Sequence, residues 1–536
     1  MSIGGFFRSV FLVLICVEAL AAAPDAAQIE RGRAFYAANC LICHQASGQG
    51  TPGSFPPLAK SDFLMSDMDR AIRAIVSGLR GQIVVNGKKF DNAMPPAVLD
   101  DQGVADVLTY VRNSFGNSGE GIEAKRVAGV RATTEYPTFE KLKEANEYSS
   151  IPSAPKGLAA REFVRLTEHG VRMFADRAKA QLYVLSTSGN VWKIDLATAA
   201  LQQVQWGKSY IDVKRGDPSA LGITLDKERR MYVVVNQRVD SSAIATNEVT
   251  IFRSTRLENG EPGDLQPWAR ATYPWGIGPF NHGVSHIAQG PDGMIYVSSG
   301  SRTDGNEPGK GGHFSTMGEH PITSSIWRLD PKSDAPKVEV FARGLRNAFG
   351  FCWMADGRMI ATDNGPDANV PEELNIVEQG KHYGFPYRFS DSLAKPYPYT
   401  PDAAKSGLTF TPPIMNTGPD AALAKRPMGT FDPHSSPAGI IPIGDDFLEP
   451  FRGSLFVTRF GNLLKTDEDA GFDLLRVALK GNNTAEVTTI LKPLGRPIDI
   501  VQGAPGKLYL LEYCRGTKFT ASLGFPGRVL EISSAP

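Results

Sequence analysis

One pattern recurs six times between residues 161 and 534, and it constrains the fold more than any other feature of the chain. It is an apolar strand, a turn of Asp-Gly or similar type, and a second strand of Leu/Ile/Met-Tyr-Val character. The copies read VRMFADRAKAQLYVLSTSGNVWKID, LGITLDKERRMYVVVNQ, VSHIAQGPDGMIYVSSGS, FGFCWMADGRMIATDNG, IGDDFLEPFRGSLFVTRFG and IDIVQGAPGKLYLLEYCRG. Most are followed by a further strand, such as SIWRLD, LLRVALKG or GRVLEIS. A unit of this size makes one small antiparallel sheet, which cannot bury both faces alone. Stacked in a ring, six such sheets can, which predicts a mainly β chain folded as a six-bladed β-propeller over 161–534. A two-sheet sandwich would leave six similar units unexplained. The 54 Gly and 38 Pro suit a chain of short strands and tight turns.

At 536 residues the chain exceeds one ordinary core, so further domains are expected. Its 57 basic and 57 acidic residues cancel, which argues against nucleic acid or an anionic membrane as partner. Residues 1–23 carry one basic residue (Arg8), an apolar stretch over 10–17, then Ala-x-Ala patterns. This is the pattern of a secretory signal peptide cleaved between Ala21 and Ala27, and it predicts a periplasmic protein. A retained anchor is the weaker alternative, because the apolar run is short for a span. No later stretch reads as transmembrane. With Cys16 removed, Cys40, Cys43, Cys352 and Cys514 remain. The last two could pair in an oxidising compartment or stay as buried thiols.

Residues 25–118 form a second, small all-α unit. Cys40-Leu41-Ile42-Cys43-His44 places two thiols three apart with a histidine directly after them. That spacing reads as a covalent haem c site, with Cys40 and Cys43 as thioethers and His44 on the iron. Met94, in DNAMPP, is the expected second axial ligand, since a thioether raises the potential. Met65 and Met68 are the competitors. QIERGRAFYAANC reads as a helix leading into the motif. Val104, Val107, Leu108 and Val111 stripe a closing amphipathic helix. Gly32 would let Tyr110 or its neighbours approach the first helix. The stretch resembles a class I cytochrome c throughout; for the motif alone, chance or a zinc pair is the alternative. Residues 119–160 read as a linker, with a short helix at 138–148, that packs along the larger domain or forms a loose tether.

Three loop stretches of the large domain concentrate polar groups. FNHGVSHIAQGPDG sets His282 just ahead of the inner strand of the third repeat, where it is a candidate general base. His286 follows within the strand pattern. Taken singly, either histidine could be a surface or packing residue. Arg346-Asn347 occupies the corresponding place in the fourth repeat. Asp363-Asn364-Gly365-Pro366 ends the next strand, and Glu372, Glu373 and Asn375 follow. Such an oxygen-rich loop suits Ca²⁺ as well as it suits ordinary turn chemistry. Arg496 enters the sixth repeat and Arg459 ends a strand of the fifth. Several arginines directed at one channel make sense around a polyanionic ligand.

These stretches resemble the soluble quinoprotein glucose dehydrogenase family, which includes aldose sugar and sorbosone dehydrogenases. The most specific match is GLRNAFGF, TDNGPD and EELNIVEQGKHYGFPY, with DPHSSPAGI and GRPIDIV further on. The resemblance implies a six-bladed propeller that binds pyrroloquinoline quinone (PQQ) and Ca²⁺ and oxidises sugar hemiacetals. It makes His282 the base and sets Arg346 and Asn347 beside quinone and substrate. It also makes the Gly365 and Pro366 carbonyls Ca²⁺ ligands, Asn364 a cofactor-side amide, and Arg496 a clamp on the quinone carboxylates. The sequence departs from the family in three places. Ser301 follows Gly300 where the glucose enzymes have an aspartate that orients the base, and Asp304 is the nearest carboxylate that could replace it. Ile498 stands at a second arginine position. No lysine stands where one contacts the quinone, which leaves Arg459 as the nearest cation. The implied function is a periplasmic quinohaemoprotein dehydrogenase. It would oxidise a sugar hemiacetal, aldehyde or alcohol by hydride transfer to PQQ, with electrons passing to the fused haem c and on to a cytochrome or oxidase. A catalytically silent propeller joined to a carrier cytochrome and a Ca²⁺-dependent lactonase are the alternatives. Cytochrome cd1 nitrite reductases combine haem and propeller too, but with eight blades.

Overall fold

The computed structural model describes residues 25–534 except 52–54, 80–81, 91–93, 95–96, 98, 135–147, 217, 240–243, 257–260, 277–281, 308–317, 391–394, 396, 404, 420–427, 463–469 and 517–525. The signal-peptide segment 1–23 and nearly all of the helix expected at 138–148 lie outside the described residues. The chain divides into two compact units near residue 135.

The first unit is helical: α1 (Ala26–Asn39), α2 (Leu41–His44), α3 (Asp62–Ser66), α4 (Met68–Val76), α5 (Asp101–Arg112) and α6 (Ala124–Thr133). Side-chain caps start four of them, with Ser61 accepting from Leu64 N at 3.2 Å on α3. Asp25 accepts from Ala27 N at 3.1 Å, Asp67 from Arg70 N at 2.9 Å and Asp100 from Gly103 N at 2.7 Å. The apolar stripe of α5, Val104, Val107, Leu108 and Val111, is buried throughout. α1 crosses α5 at Gly32, where a Cβ would sit 2.0 Å from the Asp106 carbonyl oxygen and 2.7 Å from Tyr110 Cβ. Only glycine lets the two backbones meet there. Residues 119–160, expected as a linker, contribute α6 to this unit. Val127 and Val130 of α6 are buried, and Arg131 bonds Asp101 at 2.6 Å.

The second unit consists of six antiparallel sheets whose innermost strands adjoin around an axis. Blade one runs outward through Gly170–Asp176, Gln181–Ser186, Val191–Asp195 and Leu201–Gln205. Blade two follows with Pro218–Leu225, Met231–Val239, Thr246–Arg256 and Pro262–Pro274. Blade three is Val284–Gln289, Ile295–Ser299, Ser325–Leu329 and Glu339–Arg343. Blade four has Phe351–Trp353, Met359–Asp363 and Glu373–Val377. Blade five has Pro437–Pro442, Leu455–Arg459, Asp473–Lys480 and Thr484–Leu491, extended by the short strands Met415–Asn416 and Met428–Gly429. Blade six is Pro497–Ala504, Lys507–Glu512 and Arg528–Ser534, with Leu158–Arg165 as its outer strand. The ring is thus closed by pairing the start of the unit with its end, and the propeller begins at Leu158, within the span expected as linker.

The predicted six-bladed propeller is the observed architecture, and the strand periodicity explains its core. Alternate residues of each sheet face a neighbouring sheet, so separate apolar clusters fill the gaps between blades. Tyr232, Val234 and Ile251 of blade two meet Val284, Val297 and Trp327 of blade three. Ile360 and Leu374 of blade four meet Val457 and Val477 of blade five. The axis itself is polar. Arg172 of blade one lies 3.6 Å from Asp499 of blade six, and His286 of blade three packs its ring 4.4 Å from that of Phe351 in blade four. His286 therefore belongs to the axis, away from the turn that carries His282.

Candidate active site

In the helical unit, the haem motif is wound onto one turn. His44 N bonds the Cys40 carbonyl at 2.9 Å, which brings both cysteines and the histidine to one helical segment. The His44 imidazole is buried, and its Nδ1 lies 2.9 Å from the Pro56 carbonyl. A carbonyl can only accept, so Nδ1 carries the proton and Nε2 keeps the lone pair that an iron requires. Burial pushes the free Cys40 thiol up to about 12 and that of Cys43 up to about 11. A dithiol redox pair needs the opposite shift. Met94 is half-buried, and residues 91–93 and 95–96 around it lie outside the described residues. Met68 is used in the core of α4, whereas Met65 is half-buried on α3.

In the propeller, the strand ends and turns of blades three and four gather the groups expected at a catalytic centre. His282 N bonds the Ser301 carbonyl at 2.8 Å, and its Nδ1 lies 3.3 Å from Ser301 Oγ. Gly300 makes this approach possible: a Cβ there would lie 2.4 Å from His282 Cβ and 3.1 Å from Asn347 Oδ1. Enclosure of the imidazole, followed by the charge of Arg346, holds the His282 pKa well below its usual value, and a hydrogen bond to the Ser301 main-chain carbonyl opposes them.

Arg346 and Asn347 are buried side by side, and Asp363 sets their turn. One Asp363 oxygen accepts from Arg346 N at 2.9 Å and the other from Asn347 N at 2.6 Å. The Arg346 guanidinium donates to the Asp304 carbonyl at 2.9 Å, to Asp304 Oδ1 at 2.7 Å and to the Asn364 carbonyl at 3.1 Å. Tyr397 donates to the other Asp304 oxygen, and Asp367 N donates to Oδ1 at 2.9 Å. Asp304, the carboxylate that sequence offered as orienter of the base, is therefore committed to Arg346. The side chain on the base is Ser301. Sequence reasoning named Asp363 only within the oxygen-rich loop and missed its hold on the turn of Arg346 and Asn347, as it missed this use of Asp304, because each acts through contacts across a strand end.

The loop from Asn364 to Pro366 stands over buried carboxylates. Asn364 Nδ2 donates to the Asn347 carbonyl at 3.2 Å, while its Oδ1 is buried with no hydrogen-bond partner among the described residues. Glu372 accepts from Gly365 N, and burial pushes its carboxyl up to about 7. Burial does the same to Glu373, and burial together with Glu373 drives Asp363 upward. An orphaned carboxamide oxygen beside main-chain carbonyls, with anionic groups behind them, is the donor chemistry of a hard cation or a polar cofactor edge. Among the described residues no three His, Cys, Asp or Glu side chains form a metal cage, so a cation here would draw on carbonyls.

The two arginines of the later blades differ. Arg496 is buried at φ +56°, donates to the Asn462 carbonyl at 3.1 Å, and lies between the rings of Phe460 and Phe472, 5.1 and 4.9 Å from their centroids. Burial pulls its pKa down to about 10. Arg459, expected as a quinone-side cation, is instead consumed within blade five. It bonds Asp473 through two nitrogens at 2.9 and 2.6 Å and Asp432 through the third at 3.0 Å. Those carboxylates raise its pKa, and its charge is spent on them.

The family model described as Glucose / Sorbosone dehydrogenase matches residues 224–519. The chain belongs to the glucose/sorbosone dehydrogenase family. The Cytochrome c model matches residues 29–115, so this member carries a cytochrome c domain ahead of its propeller. Cytochrome c-552 of Thermus thermophilus is 38% identical over 102 residues, which are 18% of this chain and 73% of that protein. The cytochrome c subunit of the quinone alcohol dehydrogenase of Gluconobacter oxydans (strain 621H) is 33% identical over 107 residues. That match spans 19% of this chain and only 22% of that subunit. A solved structure, the PQQ-bound form of aldose sugar dehydrogenase from Streptomyces coelicolor, aligns at 20% identity and a TM-score of 0.47, covering 72% of this chain and all of that one (100%). Within the dehydrogenase-family match fall His282, Arg346, Asn347, Asn364, Gly365, Pro366, Arg459 and Arg496. No described helix is long and apolar enough to cross a membrane. No disulfide joins Cys352 and Cys514, and the Cys514 thiol donates to the Gly516 carbonyl at 3.3 Å.

Proposed function

We propose that the protein is a periplasmic quinohaemoprotein dehydrogenase that oxidises a sugar hemiacetal, aldehyde or alcohol and delivers the electrons, through its own haem c, to an external cytochrome or oxidase. The observation that carries this reading is the convergence of His282, Arg346 and Asn347 on one turn region of a dehydrogenase-family propeller, in a chain that also winds Cys40, Cys43 and His44 onto a haem-binding turn. PQQ with Ca²⁺, when bound, supplies the two-electron acceptor for the substrate hydride, and haem c supplies a one-electron outlet.

The chain's own residues do the rest. His282, neutral around pH 7, accepts the substrate hydroxyl proton at Nε2 as the carbonyl forms. Arg346, fixed by Asp304 and the Asn364 carbonyl, holds positive charge where negative charge develops on oxygen. Asn347, locked by Asp363, offers an amide to the substrate or cofactor edge. The Gly365 and Pro366 carbonyls and Asn364 Oδ1 would hold the cation, whose charge would offset the buried Asp363, Glu372 and Glu373. Arg496 would meet a quinone carboxylate. His44 and Met94 would hold the haem iron, with Cys40 and Cys43 as its covalent anchors.

The test is direct. The protein is expressed with haem maturation, reconstituted with PQQ and Ca²⁺, and screened with sugars, aldehydes and alcohols while the haem absorbance is followed. Haem reduction that needs both PQQ and substrate is the expected result. Its absence across all substrate classes overturns the dehydrogenase and leaves a binding propeller joined to a carrier cytochrome.

A further inference from the structure

We infer that Ser301 is the positioning residue for His282, a neutral hydroxyl doing the orienting work for which the resemblance implies an aspartate. This rests on the dehydrogenase reading above and adds to it how the base is held and at what pH it works.

The geometry fixes the direction of each hydrogen bond. Ser301 is fully buried, and its Oγ lies 2.8 Å from the Thr303 carbonyl and 3.3 Å from His282 Nδ1. A hydroxyl has one proton, and a carbonyl cannot give one, so the Ser301 proton goes to Thr303. Toward His282 the hydroxyl can then only accept. The imidazole must place its own proton on Nδ1, which leaves the Nε2 lone pair for the substrate. The main chain fastens the same arrangement twice, through His282 N to the Ser301 carbonyl at 2.8 Å and Ser301 N to the Arg346 carbonyl at 2.7 Å.

The consequence is electrostatic. A carboxylate in this place would select the same tautomer and also stabilise the imidazolium. The Ser301 hydroxyl, with the Ser301 main-chain carbonyl beside it, selects the tautomer without that charge. Among the described residues, the groups packed around the ring are Ser301 at the end of the second strand of blade three, and Arg346 and Asn347 on the turn before blade four. Behind them, Asp304 is bonded to the Arg346 side chain and Asp363 to the Arg346 and Asn347 main chain. The charge felt by the imidazole is that of Arg346, which acts against protonation. A base held this way stays unprotonated, and so competent, at pH values where an aspartate-backed histidine would already be charged.

Two measurements test this. Ring-¹⁵N histidine spectra of the full-length, haem-loaded, dithionite-reduced protein without PQQ, with His282 assigned by His282→Asn, should show the Nδ1–H tautomer. A proton on Nε2 overturns the proposal, whatever happens to activity. In the PQQ-reconstituted enzyme, Ser301→Ala should lower kcat about 10-fold or more with KM within about 2-fold, the loss usual when a histidine's outer partner is removed. Ser301→Thr, which keeps a hydroxyl, should recover most of that loss. Ser301→Asp should move the acid limb of kcat/KM upward by about one pH unit or more, since an adjacent carboxylate favours the imidazolium. Unchanged kcat and pH profile in Ser301→Ala, with haem spectrum and circular dichroism as in the parent, also overturn it. If the unsubstituted protein shows no PQQ-dependent haem reduction, the dehydrogenase reading fails, and the tautomer still decides the role of Ser301.

Discussion

The two halves of the molecule assemble their sites in opposite ways. The haem motif is a single turn, Cys40 to His44, whose histidine reaches the Pro56 carbonyl twelve residues on. The propeller centre draws His282, Ser301, Asp304, Arg346, Asp363 and Asn364 from strand ends and loops of two blades. A covalent cofactor needs only local spacing, because its bonds do the holding. A catalytic base needs its tautomer, its charge environment and its neighbours fixed together, and only packed secondary structure does that.

The comparison can be broken most completely at the covalent motif. Replacing both Cys40 and Cys43 by Ala should abolish covalent haem, read as loss of haem stain on a denaturing gel, while the propeller's unfolding transition stays in place. Retained covalent haem would refute the attachment. Next in size, His282→Ala should cut substrate-driven haem reduction by about 10²–10⁴-fold, the range for a lost general base. Dithionite should still reduce the haem of that variant fully, and unaltered turnover would remove His282 from the mechanism. The two arginines sharpen the contrast between architecture and chemistry. Arg459→Ala leaves Asp473 buried and unpaired and should destabilise the propeller by about 3–5 kcal/mol in denaturant titrations. Arg496→Ala should instead weaken PQQ binding, seen as a higher cofactor concentration for half-reconstitution. Exchange of those two phenotypes would reverse the assignment.

Smaller effects separate the units further. Gly32→Ala forces a methyl against the Asp106 carbonyl and should cost the helical unit about 1–3 kcal/mol, the usual range for overpacking. Only the haem-monitored transition should move. The smallest effect is a pH dependence confined to the propeller. Burial, and then Arg343, pull the His382 pKa down to about 4 from an ordinary 6.5. The unfolded chain therefore binds a proton that the folded one refuses. Stability from this group is fully present above about pH 6.5 and is lost as pH falls toward 4. His382→Gln should flatten that part of the stability profile, and an unchanged slope would rule the histidine out.

Much of this was legible in the chain. The six repeats gave the propeller because a two-residue side-chain period and recurring turns survive any detail of packing. His282, Arg346 and Asn347 could be named because they hold corresponding places ahead of successive inner strands. The partners of Arg459 were not legible, for a physical reason. Its bidentate partner Asp473 lies fourteen residues on and faces it only through strand register, while Asp432 arrives from a preceding loop. The boundary after the helical unit was blurred too, because α6 and the strand Leu158–Arg165 lie in polar sequence and take their place from what they pack or pair with.

By itself, then, the sequence determined the β-propeller, the haem-binding turn and the residue types available to a redox centre, since these follow from period and from contiguous spacing. The tertiary structure alone decided the partners. Ser301 and Asp304 are three residues apart, and on paper the carboxylate was the one offered to the base. The turn between them sends the hydroxyl to His282 and the carboxylate to Arg346. That choice sets the charge on the base, because electrostatic effects depend on distances of a few ångströms that no linear pattern records.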